Sequence, residues 1–415
     1  MQYGLIGYPL GHSFSKEIHE AIREYQYDLY PLKEEELNDF FSKSDFKGIN
    51  VTIPYKQKVI KYLGEIDEDA SRIGAVNTIV NIDGKLKGYN TDFYGLLALI
   101  EKNDIEIENK DVAILGTGGT SNTASYLCHY LKANSVIKIS RSKKDNCLTY
   151  EQLNEQKDKF QVIINTTPMG MYPNNQDCLL DISEFNKLEA VVDVIYNPLR
   201  TKLVLQAKEK GLKATNGLYM LVAQAIKAYS IFKNKEYDRE LTDNIYKTLL
   251  TQKENIVLIG MPTCGKTTLG NLLATRLNKE HYDIDDVIIK DTQRKITDIF
   301  SQNGEKVFRE YEKQAVREVY KKDSVIISCG GGTILDKENV EMLKQNGTLV
   351  FLDRELSKLG FDDSRPITSS KEKLEKIYKE RYGIYLQAKD ITIENNDSKQ
   401  SAIERILESY EDISH

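Results

Sequence analysis

One stretch of the sequence has the residue types and the spacing of a triphosphate-binding loop. The segment GMPTCGKTT occupies residues 260–268 and follows the apolar run 255–259. A strand that ends in such a turn points amide N–H groups inward, and the helix that follows adds its positive N-terminal end. Lys266 would reach the outer phosphates, and the Thr267 hydroxyl would ligate Mg²⁺. A chance match is the alternative, which the position between a strand and a helix disfavours. The residues expected at the nucleotide are Gly260, Cys264, Gly265, Lys266, Thr267 and Thr268.

A second glycine turn, Gly116-Thr-Gly118-Gly119, follows the apolar run 111–115 and precedes a helical stretch at 120–131. A strand, a glycine turn and a helix start in this order bind the pyrophosphate of a dinucleotide. The next strand ends in Arg141-Ser-Lys-Lys144, which places cations where an NAD site would have a carboxylate for the ribose diol. The pattern favours the 2′-phosphate of NADPH, with a basic surface turn as the alternative.

Short β-branched runs alternate with amphipathic stretches along most of the chain, which is typical of parallel α/β sheets. A length of 415 residues allows two separate cores at ~150 residues per domain. We predict a boundary near residue 250, after a helical stretch at 237–250, and a softer one at 103–110. The predicted strands are 2–7, 47–52, 111–115, 136–140, 161–165, 190–194, 255–259, 282–285, 324–328 and 348–352.

Composition indicates which classes of partner and which cellular compartment to expect. A net charge of -6 without a basic block argues against nucleic-acid binding. Five cysteines stand singly, without zinc spacing, which suits reduced thiols. The N-terminus lacks the pattern of a signal peptide, and no apolar run reaches membrane-spanning length. We therefore expect a cytoplasmic protein with small-molecule partners and no membrane partner, and a homodimer stays open.

Motifs after residue 254 resemble the shikimate kinase family in order, spacing and length. They follow the phosphate loop as YDIDD at 282–286, FRE at 308–310, SCGGG at 328–332, Arg365-Pro366 and Arg381. The resemblance covers essentially all of residues 254–415. It implies a P-loop, NMP-kinase-like parallel α/β domain that transfers a phosphoryl group from ATP to shikimate.

The kinase resemblance also implies roles for single residues. Asp283 would hold the Mg²⁺ shell together with Thr267, and Asp285 would orient the attacking hydroxyl as a catalytic residue beside Lys266. In-line phosphoryl transfer depends on such positioning and charge neutralisation more than on covalent help.

The substrate of the kinase would be bound by arginines and glycines. Arg309 and Arg381 would clamp its carboxylate, which suits their planar donors. Gly331 and Gly332 would let its ring approach the backbone. Arg365 would belong to the segment that closes over the phosphates.

Segments in the first 235 residues resemble the shikimate dehydrogenase family in order. These segments are GHSFS at 11–15, GINVTIPYK at 48–56, GAVNT at 74–78, GYNTD at 88–92, NTTPMG at 165–170, DVIYNP at 193–198 and NGLYMLVAQA at 216–225. The resemblance implies an α/β substrate-binding lobe followed by a Rossmann-type NADP lobe. Ketone reduction needs a proton for the developing alkoxide, and an ammonium held by a carboxylate can supply it.

The dehydrogenase resemblance assigns Lys56 and Asp92 as the catalytic pair. It implies that the substrate is surrounded by Ser13, Ser15, Thr52, Asn77, Tyr196 and Gln224. It implies that the cofactor is bound by Gly116, Gly118, Gly119, Arg141, Asn165, Thr166, Gly217 and Met220. His12 and His19 are interpreted as polar packing at the start of the first helix.

The sequence thus predicts a bifunctional enzyme that reduces 3-dehydroshikimate and then phosphorylates the resulting shikimate. The predicted domains are a substrate lobe at 1–103 completed by helices at 217–250, an NADP lobe at 104–216 and a kinase domain at 254–415. Two alternatives stay open: a quinate-type dehydrogenase that uses NAD, and a dehydrogenase that carries a catalytically silent nucleotide-sensing module.

Overall fold

The computed structural model describes residues 2–10, 14–178, 180–360 and 370–413. The chain divides into two compact units, and each is described by itself. The first comprises residues 1–197 and 201–246, and the second comprises residues 198–200 and 247–415. Within the described residues, no helix is both long and apolar enough to span a lipid bilayer.

The first unit begins with a mixed sheet whose strand order is β2-β1-β3-β5-β6-β4. β1 pairs in parallel with β2 and β3, whereas β5 is antiparallel to β3 and β6. The strands are β1 Tyr3–Gly7, β2 Asp28–Pro31, β3 Gly48–Val51, β4 Glu65–Ile66, β5 Thr78–Ile82 and β6 Lys85–Tyr89. The helices among them are α1 Phe14–Ala21, α2 Leu37–Lys43, α3 Glu68–Ile73 and α4 Thr91–Lys102.

The same unit continues with a parallel sheet of order β12-β11-β10-β7-β8-β9. Its strands are β7 Asp111–Leu115, β8 Ser135–Ser140, β9 Cys147–Thr149, β10 Val162–Asn165, β11 Ala190–Asp193 and β12 Lys213–Thr215. The helices are α5 Gly119–Tyr130, α6 Tyr150–Glu155, α7 Lys202–Glu209, α8 Leu218–Lys233 and α9 Arg239–Lys253. Residues 247–253 of α9 belong to the second unit. α8 packs against α4 and α1, so the chain returns to the elements of the first sheet.

The second unit contains a parallel sheet of order β14-β15-β13-β16-β17. Its strands are β13 Asn255–Ile259, β14 Glu280–Asp283, β15 Val325–Ser328, β16 Gly347–Asp353 and β17 Ile391–Glu394. Its helices are α10 Lys266–Leu277, α11 Ile284–Thr292, α12 Ile296–Val319, α13 Lys337–Asn346, α14 Lys371–Ala388 and α15 Lys399–Ile413. The chain is kinked within α12 at Gly304, whose φ is 78°.

The predicted α/β fold class is confirmed, and every strand predicted from the sequence overlaps an observed strand. Two details differ. The strand predicted at 282–285 ends at Asp283, and Asp285 lies in the first turn of α11. The hairpin of β5 and β6 was not predicted, although the Asp83-Gly84 turn between two strand-like runs is a strong hairpin signal. The three-domain division stays a prediction.

His19 lies in an aromatic cluster beside the first sheet, as its interpretation as a packing residue implies. Its ring is 1% exposed and stacks on Tyr27 with 4.0 Å between centroids. Its Nδ1 lies 2.5 Å from the Tyr25 hydroxyl. Burial lowers the pKa of His19 from 6.5 to about 3, against an opposing hydrogen-bond contribution from Asn50. The folded chain therefore keeps this imidazole neutral.

A depressed histidine pKa predicts acid-sensitive stability. The neutral His19 imidazole contributes to folding stability in full above the unfolded pKa of 6.5. This stability is lost as the pH falls toward 3, at about 1 kcal/mol per pH unit. The His19→Phe variant keeps an aromatic ring that cannot be protonated. We expect calorimetry to show a smaller fall in melting temperature between pH 7 and pH 5 for this variant than for the wild type. The matched control is His129→Gln at an exposed position of α5, which should behave as the wild type does; an equal fall in all three proteins would refute the assignment.

Candidate active sites

A cleft of about 460 Å³ in the first unit gathers most of the residues predicted to meet the dehydrogenase substrate. Ser13 lies outside the described residues. The other predicted substrate residues, Ser15, Thr52, Asn77, Tyr196 and Gln224, line the cleft. The predicted catalytic pair Lys56 and Asp92, the predicted cofactor residues Gly217 and Met220, and Asn50 line it as well. Because they come from strand ends, loops and the three helices α1, α4 and α8, only the folded chain brings them together.

Lys56 and Asp92 form an ion pair at this cleft. The Lys56 Nζ lies 2.6 Å from the Asp92 Oδ2, with side-chain exposures of 22% and 12%. Asp92 lies in the first turn of α4, where the Asn90 side chain caps the helix by accepting from the Phe93 N–H at 3.2 Å. A carboxylate at a helix N-terminus is stabilised by the helix dipole. The pair therefore holds an ammonium group at the edge of a solvent-accessible cleft.

Buried amides and hydroxyls support the cleft from behind. The Asn77 Oδ1 accepts from the Thr91 N–H at 2.7 Å, and the Thr91 hydroxyl also reaches the Gln224 Oε1 at 3.4 Å. Asn50 was not predicted as a site residue. Its Oδ1 accepts from the buried Tyr27 hydroxyl at 2.7 Å, and its Nδ2 donates to the Thr78 Oγ1 at 3.0 Å. This network fixes the side chains of the cleft wall.

The backbone at Gly217 lies against the neighbouring loop. A Cβ at this position would lie 2.0 Å from the Val194 carbonyl oxygen, so any side chain would force the two segments apart. Gly217 precedes α8, which brings Met220 and Gln224 to the cleft. The close approach sets the position at which this helix begins.

A second cavity of about 340 Å³ opens at the carboxyl ends of β7, β8 and β10. It is lined by Gly116, Gly118, Arg141 and Thr166, as predicted for a cofactor site, and also by Lys144 and Tyr150. The Lys144 Nζ donates to the Thr117 hydroxyl at 3.0 Å. Four predicted cofactor residues do not line this cavity. Gly119 is the first residue of α5, the Asn165 side chain is buried, and Gly217 and Met220 line the substrate cleft instead.

The phosphate loop of the second unit runs from the end of β13 into α10. Lys266 is 6% exposed, and its Nζ donates to the carbonyl oxygens of Gly260 at 3.0 Å and Met261 at 2.9 Å. Gly265 precedes α10, and Thr267 and Thr268 lie in its first turn. Cys264 is fully buried within the loop. The lysine ammonium is thus held inside the turn, where it would meet a bound phosphate.

Next to this loop lies a cavity of about 390 Å³. The predicted kinase residues that line it are Thr267, Asp283, Asp285, Arg309, Gly331, Gly332 and Arg381. Arg381 is 8% exposed, and its Nη1 donates to the Gly331 carbonyl oxygen at 3.0 Å. Arg365 lies outside the described residues. Two guanidinium groups therefore face one cavity beside the phosphate loop.

Two residues that sequence reasoning missed hold the arginines and the glycine loop in place. Glu312 is 1% exposed and accepts from the Arg309 Nη1 at 2.7 Å and from the Thr333 hydroxyl at 2.7 Å. The i, i+3 spacing of Arg309 and Glu312 on a helix could have predicted this contact from the sequence. Tyr385 donates to the Gly331 carbonyl oxygen at 2.6 Å. Its position one helical turn after Arg381 could have indicated that it faces the same glycine loop.

The residues predicted at Mg²⁺ lie together in the second unit. The Thr267 hydroxyl donates to the Asp283 Oδ2 at 2.6 Å, and the Asp285 N–H donates to the Asp283 Oδ1 at 3.0 Å. Among the described residues, no group of three or more His, Cys, Asp or Glu side chains could hold a metal ion. One hydroxyl and one carboxylate fit Mg²⁺, which usually takes one or two protein carboxylates with the rest from water and substrate phosphates.

Comparison with known proteins assigns both units. A family model described as shikimate dehydrogenase substrate binding domain matches residues 5–79. A curated shikimate dehydrogenase (NADP(+)) of Clostridium perfringens is 38% identical over 265 residues, which are 60% of this chain and 97% of that protein. A second such enzyme, from Methanococcus maripaludis, is 38% identical over 253 residues, which are 55% of this chain and 90% of that protein.

The chain belongs to the shikimate dehydrogenase family. A further family model, described as shikimate kinase, matches residues 262–411. This shikimate dehydrogenase chain thus also carries a shikimate kinase domain, and it is a bifunctional enzyme of the shikimate pathway.

Solved structures support the dehydrogenase fold. A chorismate mutase/shikimate 5-dehydrogenase fusion protein of Clostridium acetobutylicum has a TM-score of 0.57 and 38% identity, covering 60% of this chain and 96% of that one. The shikimate 5-dehydrogenase of Thermus thermophilus, solved with NADP(H) and shikimate, has a TM-score of 0.53 and 26% identity, covering 60% and 99%. That of Listeria monocytogenes, solved with shikimate and NAD, has a TM-score of 0.53 and 29% identity, covering 60% and 96%.

Proposed function

We propose that the first unit reduces 3-dehydroshikimate to shikimate with NADPH and that the second transfers a phosphoryl group from ATP to the 3-hydroxyl of shikimate, with Mg²⁺. The observation that carries the proposal is the Lys56–Asp92 pair at 2.6 Å within a cleft lined by the predicted substrate residues. The phosphate loop beside Arg309 and Arg381 supports the second activity.

When bound, NADPH would supply the hydride for the new C–H bond at the ketone carbon and would become NADP⁺, and the ketone oxygen would gain negative charge. The Lys56 ammonium donates its proton to that oxygen, which yields the hydroxyl of shikimate. Asp92 keeps the ammonium oriented through the ion pair. The proton on Lys56 is then restored from solvent, which reaches the cleft because Lys56 is partly exposed.

The cleft offers separate groups for the carboxylate and the hydroxyls of the substrate. Ser15, Thr52 and Tyr196 provide hydroxyl groups, and Asn77 and Gln224 provide amides. The Asn77 Oδ1 is already occupied by the Thr91 N–H, so its amide nitrogen is the group that remains for the substrate. We assign these five side chains, with Ser13, to substrate binding.

Arg141 and Lys144 in the second cavity support NADPH over NADH. Both side chains line the cavity that the glycine turn also lines, and a guanidinium is suited to a phosphate because it can donate two hydrogen bonds. NAD lacks the 2′-phosphate, so these cations do not strengthen its binding. The quinate-type NAD alternative is therefore disfavoured.

In the phosphoryl transfer, the residues of this chain position the groups and neutralise charge. Asp285 accepts the hydrogen bond of the attacking hydroxyl, while Arg309 and Arg381 hold the substrate carboxylate. Lys266 donates to the transferred phosphoryl group. Thr267 and Asp283 would hold Mg²⁺, whose charge stabilises the phosphate oxygens when it is bound.

A coupled assay on the full chain tests both activities. Purified protein receives 3-dehydroshikimate, NADPH and MgATP, and NADPH loss and shikimate 3-phosphate formation are followed separately. We expect both signals. Loss of NADPH without shikimate 3-phosphate would favour the alternative of a silent nucleotide-sensing module, against which the presence of Lys266, Thr267, Asp283, Asp285 and Arg309 speaks.

A reciprocal pair of substitutions should separate the two activities. Lys56→Ala removes the proton donor and should lower the reduction rate by at least ~100-fold, the lower end of general acid contributions. Lys266→Ala removes a cation from the transferred phosphoryl group and should lower the kinase rate by ~100-fold or more. Each variant serves as the control for the other, because its second activity should stay near the wild-type rate. Retained reduction in Lys56→Ala would remove this lysine from its role.

Cofactor choice should depend on one cation of the turn after β8. Arg141→Ala should raise the KM for NADPH by ~10-fold or more, the size expected for a lost charged hydrogen bond, and leave the KM for NADH nearly unchanged. The matched control is Lys143→Ala, since Lys143 carries the same charge in the same turn but does not line the cavity. Steady-state kinetics with both cofactors provide the measurement. Equal effects on NADPH and NADH would contradict the assignment of the 2′-phosphate to Arg141.

A further inference from the structure

Two neighbouring loops of the first unit serve different cavities. β10 and β11 run in parallel, with Asn165 paired to Asp193 at their carboxyl ends. The loop after β10 lines the cofactor cavity with residues 166–169. The loop after β11 lines the substrate cleft with Val194 and Tyr196. The ends of these two strands therefore lie between the cofactor cavity and the substrate cleft.

A buried carboxylate lies at this junction. Asp193 is fully buried and accepts three hydrogen bonds, from the Asn165 Nδ2 at 3.0 Å, the Ile195 N–H at 3.0 Å and the Thr201 hydroxyl at 2.6 Å. Burial raises the pKa of Asp193 to about 6, although these three hydrogen bonds oppose the shift. Burying a charge costs free energy unless it is well bonded, and these three donors stabilise the buried carboxylate.

On the cofactor side, the connection runs through Asn165. Its Oδ1 accepts from the Thr167 N–H at 3.0 Å and from the Thr167 hydroxyl at 2.8 Å. The Thr167 hydroxyl in turn accepts from the Met169 N–H at 3.3 Å. The orientation of the Asn165 amide, set by Asp193, thus determines where the cavity-lining loop lies.

On the substrate side, the connection runs through the backbone of Ile195. Its N–H donates to Asp193, and its carbonyl oxygen accepts from the Gly217 N–H at 2.9 Å. Gly217 packs closely on Val194, so a displacement of one segment would require the other to shift as well. Because Gly217 leads directly into α8, the position of Ile195 also affects Met220 in the cleft.

We propose that Asp193 is a positioning residue that holds the cofactor loop at 166–169 and the substrate loop at 194–196 in fixed register. It lines neither cavity and acts through Asn165 and Ile195. Hydride transfer requires the donor and acceptor carbons at near-contact distance, and small misplacements are costly. The proposal rests on the proposed function, because the two ligands are those assigned to the two cavities.

Three variants of the full chain test the proposal by steady-state kinetics. Asp193→Ala should raise the KM for both NADPH and 3-dehydroshikimate by roughly 5- to 10-fold, as expected for lost buried hydrogen bonds. Asn165→Ala removes only the hydrogen bonds that connect Asp193 to the cofactor loop at 166–169, and it should raise the KM for NADPH alone. Asp193→Asn keeps the Oδ1 that accepts from Asn165 and Ile195, so both KM values should stay within about threefold of the wild type.

A control separates positioning from general stability. Thr242→Val removes a buried hydroxyl in α9 that bonds to Tyr237 and Asp238, away from both cavities. It should lower the melting temperature without raising either KM. If Asp193→Ala behaves in the same way, its role is structural only and the proposal is overturned. If Asp193→Ala does not fold, the other two variants decide: the proposal fails unless Asn165→Ala affects NADPH alone and Asp193→Asn retains both KM values.

The wild-type rate separates this proposal from the proposed function. A wild-type chain that does not oxidise NADPH with 3-dehydroshikimate would refute the proposed function itself. A wild-type chain that turns over, with variants whose KM values do not follow the pattern above, would refute only the role of Asp193. The kinase rate of each variant, measured with MgATP and shikimate, shows that equal amounts of intact chain are compared, and the melting temperature reports whether the first unit is folded.

Discussion

Parallel strand pairing is the constraint on which the active sites depend. In a parallel sheet every crossover returns the chain to the same edge, so loops from neighbouring strands meet at the carboxyl ends. In the second sheet, β7, β10 and β11 are adjacent and are followed by the glycine turn, the 166–169 loop and the 194–196 loop. In the third sheet, β14, β15 and β13 are adjacent and are followed by Asp285, the glycines at 330–332 and the phosphate loop. A slip of one residue in any pairing would move the side chains of that strand to the opposite face of the sheet.

Much of this arrangement could be predicted because it depends on local patterns. The apolar runs before the two glycine turns predicted β7 and β13, and the order of motifs predicted which side chains would meet. Lys56 and Asp92 illustrate the limit of pattern alone, since a lysine after Pro-Tyr is usually a surface residue. Only the resemblance joined it to Asp92, which lies 36 residues later and 2.6 Å away.

The residues that could not be predicted are those whose partners are distant in sequence and whose types are ambiguous. Asn50 lies in a buried strand, and nothing in its neighbours indicates that Tyr27 and Thr78 will occupy its amide. Glu312 had a helical signal toward Arg309, but its second partner, Thr333, is 21 residues away. Hydrogen bonds between separate segments depend on packing that the sequence specifies only through the whole fold.

Asn165 shows why a resemblance does not by itself separate ligands from supports. Asn165 would stand at the same place in the motif NTTPMG whether it contacts the cofactor or holds the loop in shape. The motif therefore does not distinguish these two roles. Its hydrogen-bonding capacity distinguishes the two roles. The amide oxygen already accepts two hydrogen bonds from Thr167, and the amide nitrogen donates to Asp193. The Asn165 side chain is 2% exposed, and its oxygen and nitrogen both have partners within the protein, so it is poorly placed to bind a ligand. Glu312 meets the same criterion, with one carboxylate oxygen on Arg309 and the other on Thr333. We therefore assign to positioning the polar side chains whose hydrogen-bonding groups are engaged within the protein, both behind a cavity wall, as for Asn165, and on it, as for Glu312.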